Sequence, residues 1–170
     1  MASNIEIKAR ARDWDELHRR AAALSAAPAE LLEQDDTFYR SPRGRLKLRV
    51  LGPSRAELIY YERADEACAR PSFYTVAPVA DAAALDQALS AALGALGRVE
   101  KRRWLYRVGQ TRIHLDEVSG LGRFIEIEYV LQPGEEHENG LRVVAELLAR
   151  LGVLNEDLLS KPYLELFPRG

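Results

Sequence analysis

A single cysteine, Cys68, stands among 170 residues, which excludes an internal disulfide and any cysteine-cluster metal centre. The three histidines form no metal motif, and neither a glycine-rich phosphate loop nor a nucleophile elbow occurs. P-loop, zinc and hydrolase-triad chemistry therefore have no support. No apolar run approaches the ~20 residues of a membrane span, and Met1-Ala2-Ser3-Asn4 opens without the apolar core of a signal peptide. Nor does one sign of charge dominate. The formal net charge is -2, so no global field draws the chain to nucleic acid or an acidic membrane. A soluble cytoplasmic protein is expected, with neither of those partners, as a monomer or a homodimer. With no linker to divide it, residues 1–170 are expected to form one domain with a substantial core.

Charge is nevertheless abundant, at 29% of residues, and its placement is informative. In Asn4-Ile5-Glu6-Ile7-Lys8-Ala9-Arg10-Ala11-Arg12 the even positions are polar or charged and the odd ones apolar. Gly44-Arg45-Leu46-Lys47-Leu48-Arg49-Val50 sets Arg45, Lys47 and Arg49 against Leu46, Leu48 and Val50. Phe124-Ile125-Glu126-Ile127-Glu128 sets two carboxylates against two isoleucines. Strand side chains alternate faces with period 2, so each segment has one apolar and one densely charged face. Charged faces turned towards each other would enclose a site with cations and carboxylates side by side, as a metal–polyphosphate requires.

The remaining elements follow from helix and turn signals. Asp13 to Glu16 has capping-box spacing, and Trp14, Leu17, Ala21 and Leu24 then form an apolar stripe. Pro28 suits the first turn of a short second helix through Glu33. Thr37-Phe38-Tyr39 reads as a strand, Asp35-Asp36 as a turn or the start of that strand, and 45–51 and 56–63 as a hairpin around Gly52-Pro53. Residues 65–70 read as a loop and 72–79 as extended chain. Asp81 caps a third helix with Leu85, Leu89, Ala92 and Leu96 facing a core, ending at Gly97. Strands are expected at 98–107, 111–118 and 123–131. A fourth helix runs from about 135 to 151 on Leu141, Val144, Ala145, Leu148 and Leu151. Asn155 caps a last short helix, and 162–166 form a terminal strand or turn. The order predicts an α+β fold: a closed or nearly closed eight-stranded antiparallel β-barrel with a charged interior and helices packed outside, wide enough for one small ligand.

Glu6, Glu126 and Glu128 are the carboxylates suited to a hard divalent cation. Lys8, Arg10, Lys47, Arg49, Arg63, Lys101, Arg103 and Arg112 are the cations. Enclosed without an anion they would repel one another by several kcal/mol; interleaved with acids they suit a tri- or polyphosphate, Arg with forked contacts and Lys as a point charge. His114, sharing a face with Arg112 and Asp116, is a proton shuttle or a hydrogen-bonded structural residue. Tyr39 and Tyr163 orient substrate or pack, and Trp14 packs a helix on the barrel.

Asn4-Ile5-Glu6-Ile7-Lys8 is similar to the N-terminal Glu-x-Glu-x-Lys signature of the CYTH superfamily, the triphosphate tunnel metalloenzymes, which contains class IV adenylate cyclases, thiamine triphosphatases and inorganic triphosphatases. The resemblance continues through residues 34–39, 44–49, Lys101-Arg102-Arg103, Ile113-His114-Leu115-Asp116-Glu117-Val118 and 121–128, and the spacing of the Leu-Asp-x-Val, Leu-Gly and Phe-x-Glu-x-Glu elements looks closer to the cyclase branch than to thiamine triphosphatases. It implies an eight-stranded tunnel and Mg²⁺ or Mn²⁺ held by Glu6, Glu126 and Glu128. Phosphates would be held by Lys8, Lys47, Arg49, Arg63, Lys101, Arg103 and Arg112, with Lys8, Lys47, Arg49, Lys101 and Arg103 carrying catalysis. The implied reaction is adenylate cyclase-type, ATP to cyclic AMP and pyrophosphate. The alternatives are a triphosphatase acting on tripolyphosphate, a nucleotide or thiamine triphosphate, and a non-catalytic binder of phosphate or nucleotide. One departure is Asn4, which stands where the family motif usually has its first Glu. Its amide oxygen still ligates a hard cation, but the missing charge weakens or removes a second metal site.

Overall fold

Strand alternation decides which side of the sheet becomes the core. The computed structural model describes residues 1–168. The chain runs β1 (Ala2–Arg10), α1 (Trp14–Leu24), β2 (Glu30–Tyr39), β3 (Arg45–Val50), β4 (Ala56–Arg63), β5 (Arg70–Val79), α2 (Ala82–Leu93), β6 (Ala95–Val108), β7 (Thr111–Val118), β8 (Gly122–Val130) and α3 (His137–Leu151). A 3-10 turn (Asn155–Asp157), β9 (Leu158–Leu159) and α4 (Tyr163–Leu166) follow. β2 to β5 form one antiparallel meander and β6 to β8 another; β2 pairs with β6, and β1 lies between β8 and β5. These pairings close an eight-stranded antiparallel barrel, the α+β architecture expected. β1 meets β5 only through residues 2–6, and the extra strand β9 takes over against Lys8 and Ala9.

The core sits outside the barrel, between strands and helices. Ile5, Ile7 and Ala9 of β1, Ile113 and Leu115 of β7, and Ile125, Ile127 and Tyr129 of β8 meet Leu17 and Ala21 of α1 and Val144, Leu147 and Leu151 of α3. Burying each large aliphatic contributes about 1.5–3 kcal/mol, which drives the apolar faces outward under the helices. On the other flank α2 lays Leu85 and Leu89 over Tyr39, Leu48 and Ala56. Asp13 caps α1 by accepting from the Glu16 N–H at 3.1 Å, and Asp81 caps α2 by accepting from Ala84 at 2.9 Å. Trp14 packs edge-on to Trp104 of β6, ring centroids 5.6 Å apart.

Three expectations are corrected and one is narrowed. Residues 30–33 are strand, not helix: β2 begins at Glu30 and pairs with β6 from Glu30–Leu105 to Tyr39–Ala95. A helix confined to residues 28–33 is too short to repay its nucleation, and the long ladder wins. Asp35 and Asp36 consequently lie within β2, not in a turn or at its start. The third helix ends at Leu93, not Gly97, because Gly94 takes φ 83° and turns the chain into β6; Leu96 is therefore an exposed strand residue. Of the terminal strand or turn expected at 162–166, the turn is found, as one helical turn over residues 163–166 behind Pro162.

Gly140 shows how tightly α3 sits on β1. A Cβ there would lie 2.6 Å from Ile5 Cγ1 and 3.0 Å from Tyr129 Cδ1. Glycine to alanine in an exposed helix ordinarily stabilises by about 1 kcal/mol; here overpacking should reverse the sign. Gly140→Ala is predicted to lower the unfolding free energy by about 1–2 kcal/mol in urea titration. A gain in stability would show that the contact has slack.

Candidate active site

With the isoleucines outside, the alternate residues of every barrel strand point inward. They line one cavity of about 300 Å³, at the small end of ligand-pocket sizes. The cations expected from the sequence are brought together there: Lys8, Lys47, Arg49, Arg63, Lys101, Arg103 and Arg112, joined by Arg55 and Arg107. So are Glu6, Glu126 and Glu128, with Glu30, Asp36 and Glu57. Nine lining cations thus face six lining carboxylates, with Asp116 behind the lining pairing Lys101 and Arg103. Arg10 is not part of the set; it is exposed at the end of β1, with its guanidinium 5.8 Å from the Phe124 ring centroid. Tyr39 turns outward and donates to Asp86 of α2 at 2.6 Å, so it packs a helix and does not face the cavity.

Register explains why the acids cluster. β8 carries Glu126 and Glu128; β1 sets Lys8 opposite Glu126 and Glu6 opposite Glu128. From the other side β7 sets His114 opposite Glu126 and Arg112 opposite Glu128. Directly opposed residues have Cβ atoms about 4.5–5.5 Å apart, so three strands deliver six polar side chains to one patch. Lys8 Nζ lies 2.9 Å from Glu126, Arg112 3.0 Å from Glu128, and Arg63 of β4 2.5 Å from Glu6. Arg103 bridges both oxygens of Asp116, at 2.7 and 2.6 Å, and also reaches Glu126 at 2.6 Å. Asp36 receives Lys47 at 2.9 Å and Arg49 at 2.7 and 2.8 Å.

Asp36, Asp116 and Tyr163 are the residues whose importance sequence reasoning understated. Asp36 was hidden by the helix expected over residues 28–33; only pairing with β6 brings Leu32, Gln34, Asp36 and Phe38 together on the inner face. Asp116 is fully buried and also accepts the Tyr163 hydroxyl at 2.7 Å. Tyr163 enters from α4, with its ring centroid 3.8 Å from Lys8 Nζ and 4.9 Å from Lys101 Nζ. Phe38, Val99 and Tyr163 make an apolar floor backed by Val118 and Phe124. Glu30, Arg55, Val76 and Arg107 are exposed and line the open end.

Burial and charge act in opposition on these groups. Burial disfavours ionised Asp36, but Arg49 and Lys47 outweigh it and hold the carboxyl well below its usual range. Burial is likewise overridden at Glu126 by Lys8 and Arg103. The lysines move the other way. Burial, helped by Arg103, lowers Lys101 to about 7, and burial with Arg49 lowers Lys47 to about 8.

Oxygen donors dominate the acidic patch. Asn4 adds an amide oxygen that is buried and has no hydrogen-bond partner. An unpaired buried oxygen beside Glu6 on β1, with Glu126 and Glu128 on the next strand, fits the donor chemistry of Mg²⁺ or Mn²⁺. The tightest metal-capable group among the described residues is His114, Glu126 and Glu128, with donor atoms within 4.8 Å of one another. Glu6 stands outside that trio, drawn towards Arg63.

A closed barrel whose inward face is lined by cations and carboxylates defines a charged-tunnel architecture. The family model of the CYTH domain matches residues 2–163, and the chain belongs to that family. It is similar to a provisionally named adenylate cyclase of Methanocaldococcus jannaschii, 31% identical over 68 residues, a match spanning 40% of this chain and 39% of that one. The PH1012 protein of Pyrococcus horikoshii superposes with a TM-score of 0.84 at 26% identity, over 97% of this chain and 99% of its own. A Hippeastrum protein, provisionally named an adenylyl cyclase and described as having a dominant triphosphatase activity, shares the fold with a TM-score of 0.63 at 16% identity, covering 95% and 91% of the two chains. No helix is long and apolar enough to cross a membrane among the described residues.

The lowered lysines make stability depend on pH. Folded Lys101 loses its proton near pH 7, whereas the unfolded chain keeps it to the ordinary value of 10.5. Between those values the unfolded state binds more protons, so stability rises with pH; Lys47 adds to this from about 8. Without added metal or phosphate, the melting temperature is predicted to rise from pH 6.5 to pH 9. Tripolyphosphate, which favours charged lysines, should raise it more at pH 6.5 than at pH 9. Lys101→Met should flatten the profile; an unchanged slope in that variant would reject the assignment.

Proposed function

We propose that this protein is a metal-dependent enzyme acting on a triphosphate, with ATP cyclisation of the class IV adenylate cyclase type as its leading reaction. The observation that carries the reading is the convergence of Glu6, Glu126 and Glu128 with Lys8, Lys47, Arg49, Arg63, Lys101, Arg103 and Arg112 in one enclosed cavity. The partial likeness to the Methanocaldococcus protein and the Leu-Asp-x-Val to Phe-x-Glu-x-Glu spacing support the cyclase form.

In this reading the phosphate chain would lie among the cations, and Glu6, Glu126 and Glu128 would hold Mg²⁺ or Mn²⁺. When bound, the metal would neutralise phosphate charge and stabilise the departing oxygen. The chain's own part is preorganisation. Asp36 fixes Lys47 and Arg49, and Asp116 fixes Arg103 and Tyr163, so the donors need little rearrangement as charge shifts. The ribose 3′-oxygen bonds to the α-phosphorus, the bridging α–β P–O bond breaks, and pyrophosphate leaves with the electron pair while the hydroxyl proton passes to water. Lys8, Lys101 and Arg103, set deep against the apolar floor, stabilise the phosphate oxygens. Leu32, Leu51, Tyr74 and Val76 in the cavity lining offer apolar surface to the organic group.

A second reading puts water in line in place of the ribose hydroxyl and gives a triphosphatase; the activity described for the Hippeastrum protein of this fold favours keeping it. A non-catalytic binder is the third, argued from Asn4. Incubation with ATP and Mn²⁺ followed by product analysis is expected to yield cyclic AMP and pyrophosphate. Orthophosphate from ATP, tripolyphosphate or thiamine triphosphate would select the triphosphatase, and tight binding without turnover the binder. Glu126→Gln should remain folded by circular dichroism and lose at least about 100-fold in turnover; full activity in that variant would remove the metal assignment.

A further inference from the structure

His114 is 4% exposed on the inner face of β7. Its Nδ1 stands 3.8 Å from Glu126 Oε2 and 3.9 Å from Glu128 Oε1. Both separations are too long for a hydrogen bond, and Nδ1 has no other partner. A histidine packed for structure alone is normally held by a hydrogen bond at each buried ring nitrogen, and Nδ1 makes none. Here a desolvated nitrogen faces two carboxylates and bonds neither, a costly arrangement unless something sits between them.

Of the neighbouring cations, only Arg103 touches an oxygen that faces the imidazole. Arg112 takes the other oxygen of Glu128, Oε2, at 3.0 Å, and Lys8 takes the other oxygen of Glu126, Oε1, at 2.9 Å. Arg103 shares Glu126 Oε2 at 2.6 Å, while Glu128 Oε1 is turned to the imidazole. Donors on an ion with metal–ligand distances near 2.1 Å stand between about 3 and about 4.2 Å apart. The two nitrogen–oxygen separations fall inside that range.

We propose that His114 is a metal ligand through Nδ1, completing a three-residue set with Glu126 and Glu128 and biasing the site towards Mn²⁺ over Mg²⁺. The inference rests on the metal-dependent reading above and adds a ligand and a preference to it. Both ions take oxygen donors, but Mg²⁺ holds to them almost exclusively, whereas Mn²⁺, a first-row transition ion, accepts one imidazole nitrogen among them more readily. The acidic patch would then hold its ion by two carboxylates from β8 and one nitrogen from β7, alongside the Glu6 oxygen of the reading above.

Electron spin-echo spectroscopy of bound Mn²⁺ tests this directly. The full-length protein is labelled with ¹⁵N-histidine and loaded with Mn²⁺ alone, then with Mn²⁺ plus methylenediphosphonate, a phosphate probe that brings no nitrogen. Modulation that changes with the histidine label is expected, and it should vanish in His114→Gln. By calorimetry His114→Gln should weaken Mn²⁺ binding on the order of 10–100-fold and leave Mg²⁺ within about threefold. Mn²⁺ that binds, and is lost in Glu126→Gln, without histidine coupling in the wild-type protein overturns the His114 assignment and leaves the metal site standing. No Mn²⁺ binding under either condition overturns both. If the variant misfolds, absence of coupling in the wild-type protein still overturns the assignment, and coupling still supports it because His114 is the one histidine in the cavity lining.

Discussion

The structure depends on enclosing ionised groups of both signs without leaving them unpartnered. Closing the barrel turns the charged strand faces inward, and a buried charge without a partner costs several kcal/mol. Register meets this demand. Because β8 lies between β1 and β7, Glu126 faces Lys8 and His114, while Glu128 faces Glu6 and Arg112. One acid–acid opposition, Glu6 with Glu128, is relieved by Arg63 and Arg112. A one-residue slip of β1 would exchange its isoleucines for its charges on both sides at once. The apolar layer under α1 and α3 and the ion pairs in the tunnel therefore enforce the same alignment.

The pairs divide the interior into unlike walls. β1 and β8, with the adjoining edge of β7, present the acids Glu6, Glu126 and Glu128. β3 and β6 present Lys47, Arg49, Lys101 and Arg103, anchored by Asp36 and Asp116. Arg103 spans the two by touching both Asp116 and Glu126. The apolar floor of Phe38, Val99 and Tyr163 brings hydrocarbon against the deepest lysines. That is why Lys101, with Tyr163 beside it and Arg103 on its own strand, holds its proton less firmly than an exposed lysine.

Much of this was legible because strand alternation is a local property. Ile5-Glu6-Ile7-Lys8 and Ile125-Glu126-Ile127-Glu128 announce their two faces, and α1 and α3 their stripes, without knowledge of the fold. What local pattern could not supply was pairing. Glu30-Leu31-Leu32-Glu33 has no clean alternation, and only the ladder with β6 makes it strand; the misreading of that stretch concealed Asp36. The one-turn α4 is likewise set by docking on the barrel rather than by propensity, so Tyr163's place over Lys8 could not be read from its neighbours. His114 resisted assignment for a related reason. Its meaning lies in the Glu126 and Glu128 carboxylates opposite, which alternation on β7 alone does not reveal.

The same pairing bears on how such a cavity could take a metal–triphosphate complex at all. A cavity of bare cations would bind phosphate strongly but would be too self-repelling to fold. One whose charges were neutralised pairwise by rigid, fully engaged partners would fold but resist the ligand. Here Lys47 and Arg49 share a single carboxylate, and Arg103 divides itself between Asp116 and Glu126. Cation capacity is left over at each of these points. On the proposed reading, phosphate oxygens draw on the surplus while Glu126 and Glu128 turn towards the ion, so each group exchanges one partner for another of the same sign and never stands alone in the interior. The excess of lining cations over carboxylates is then matched to a complex that keeps net negative charge after its metal is counted. Charge balance at the level of exchange, more than the strength of any single pair, is what lets one interior serve both stability and binding.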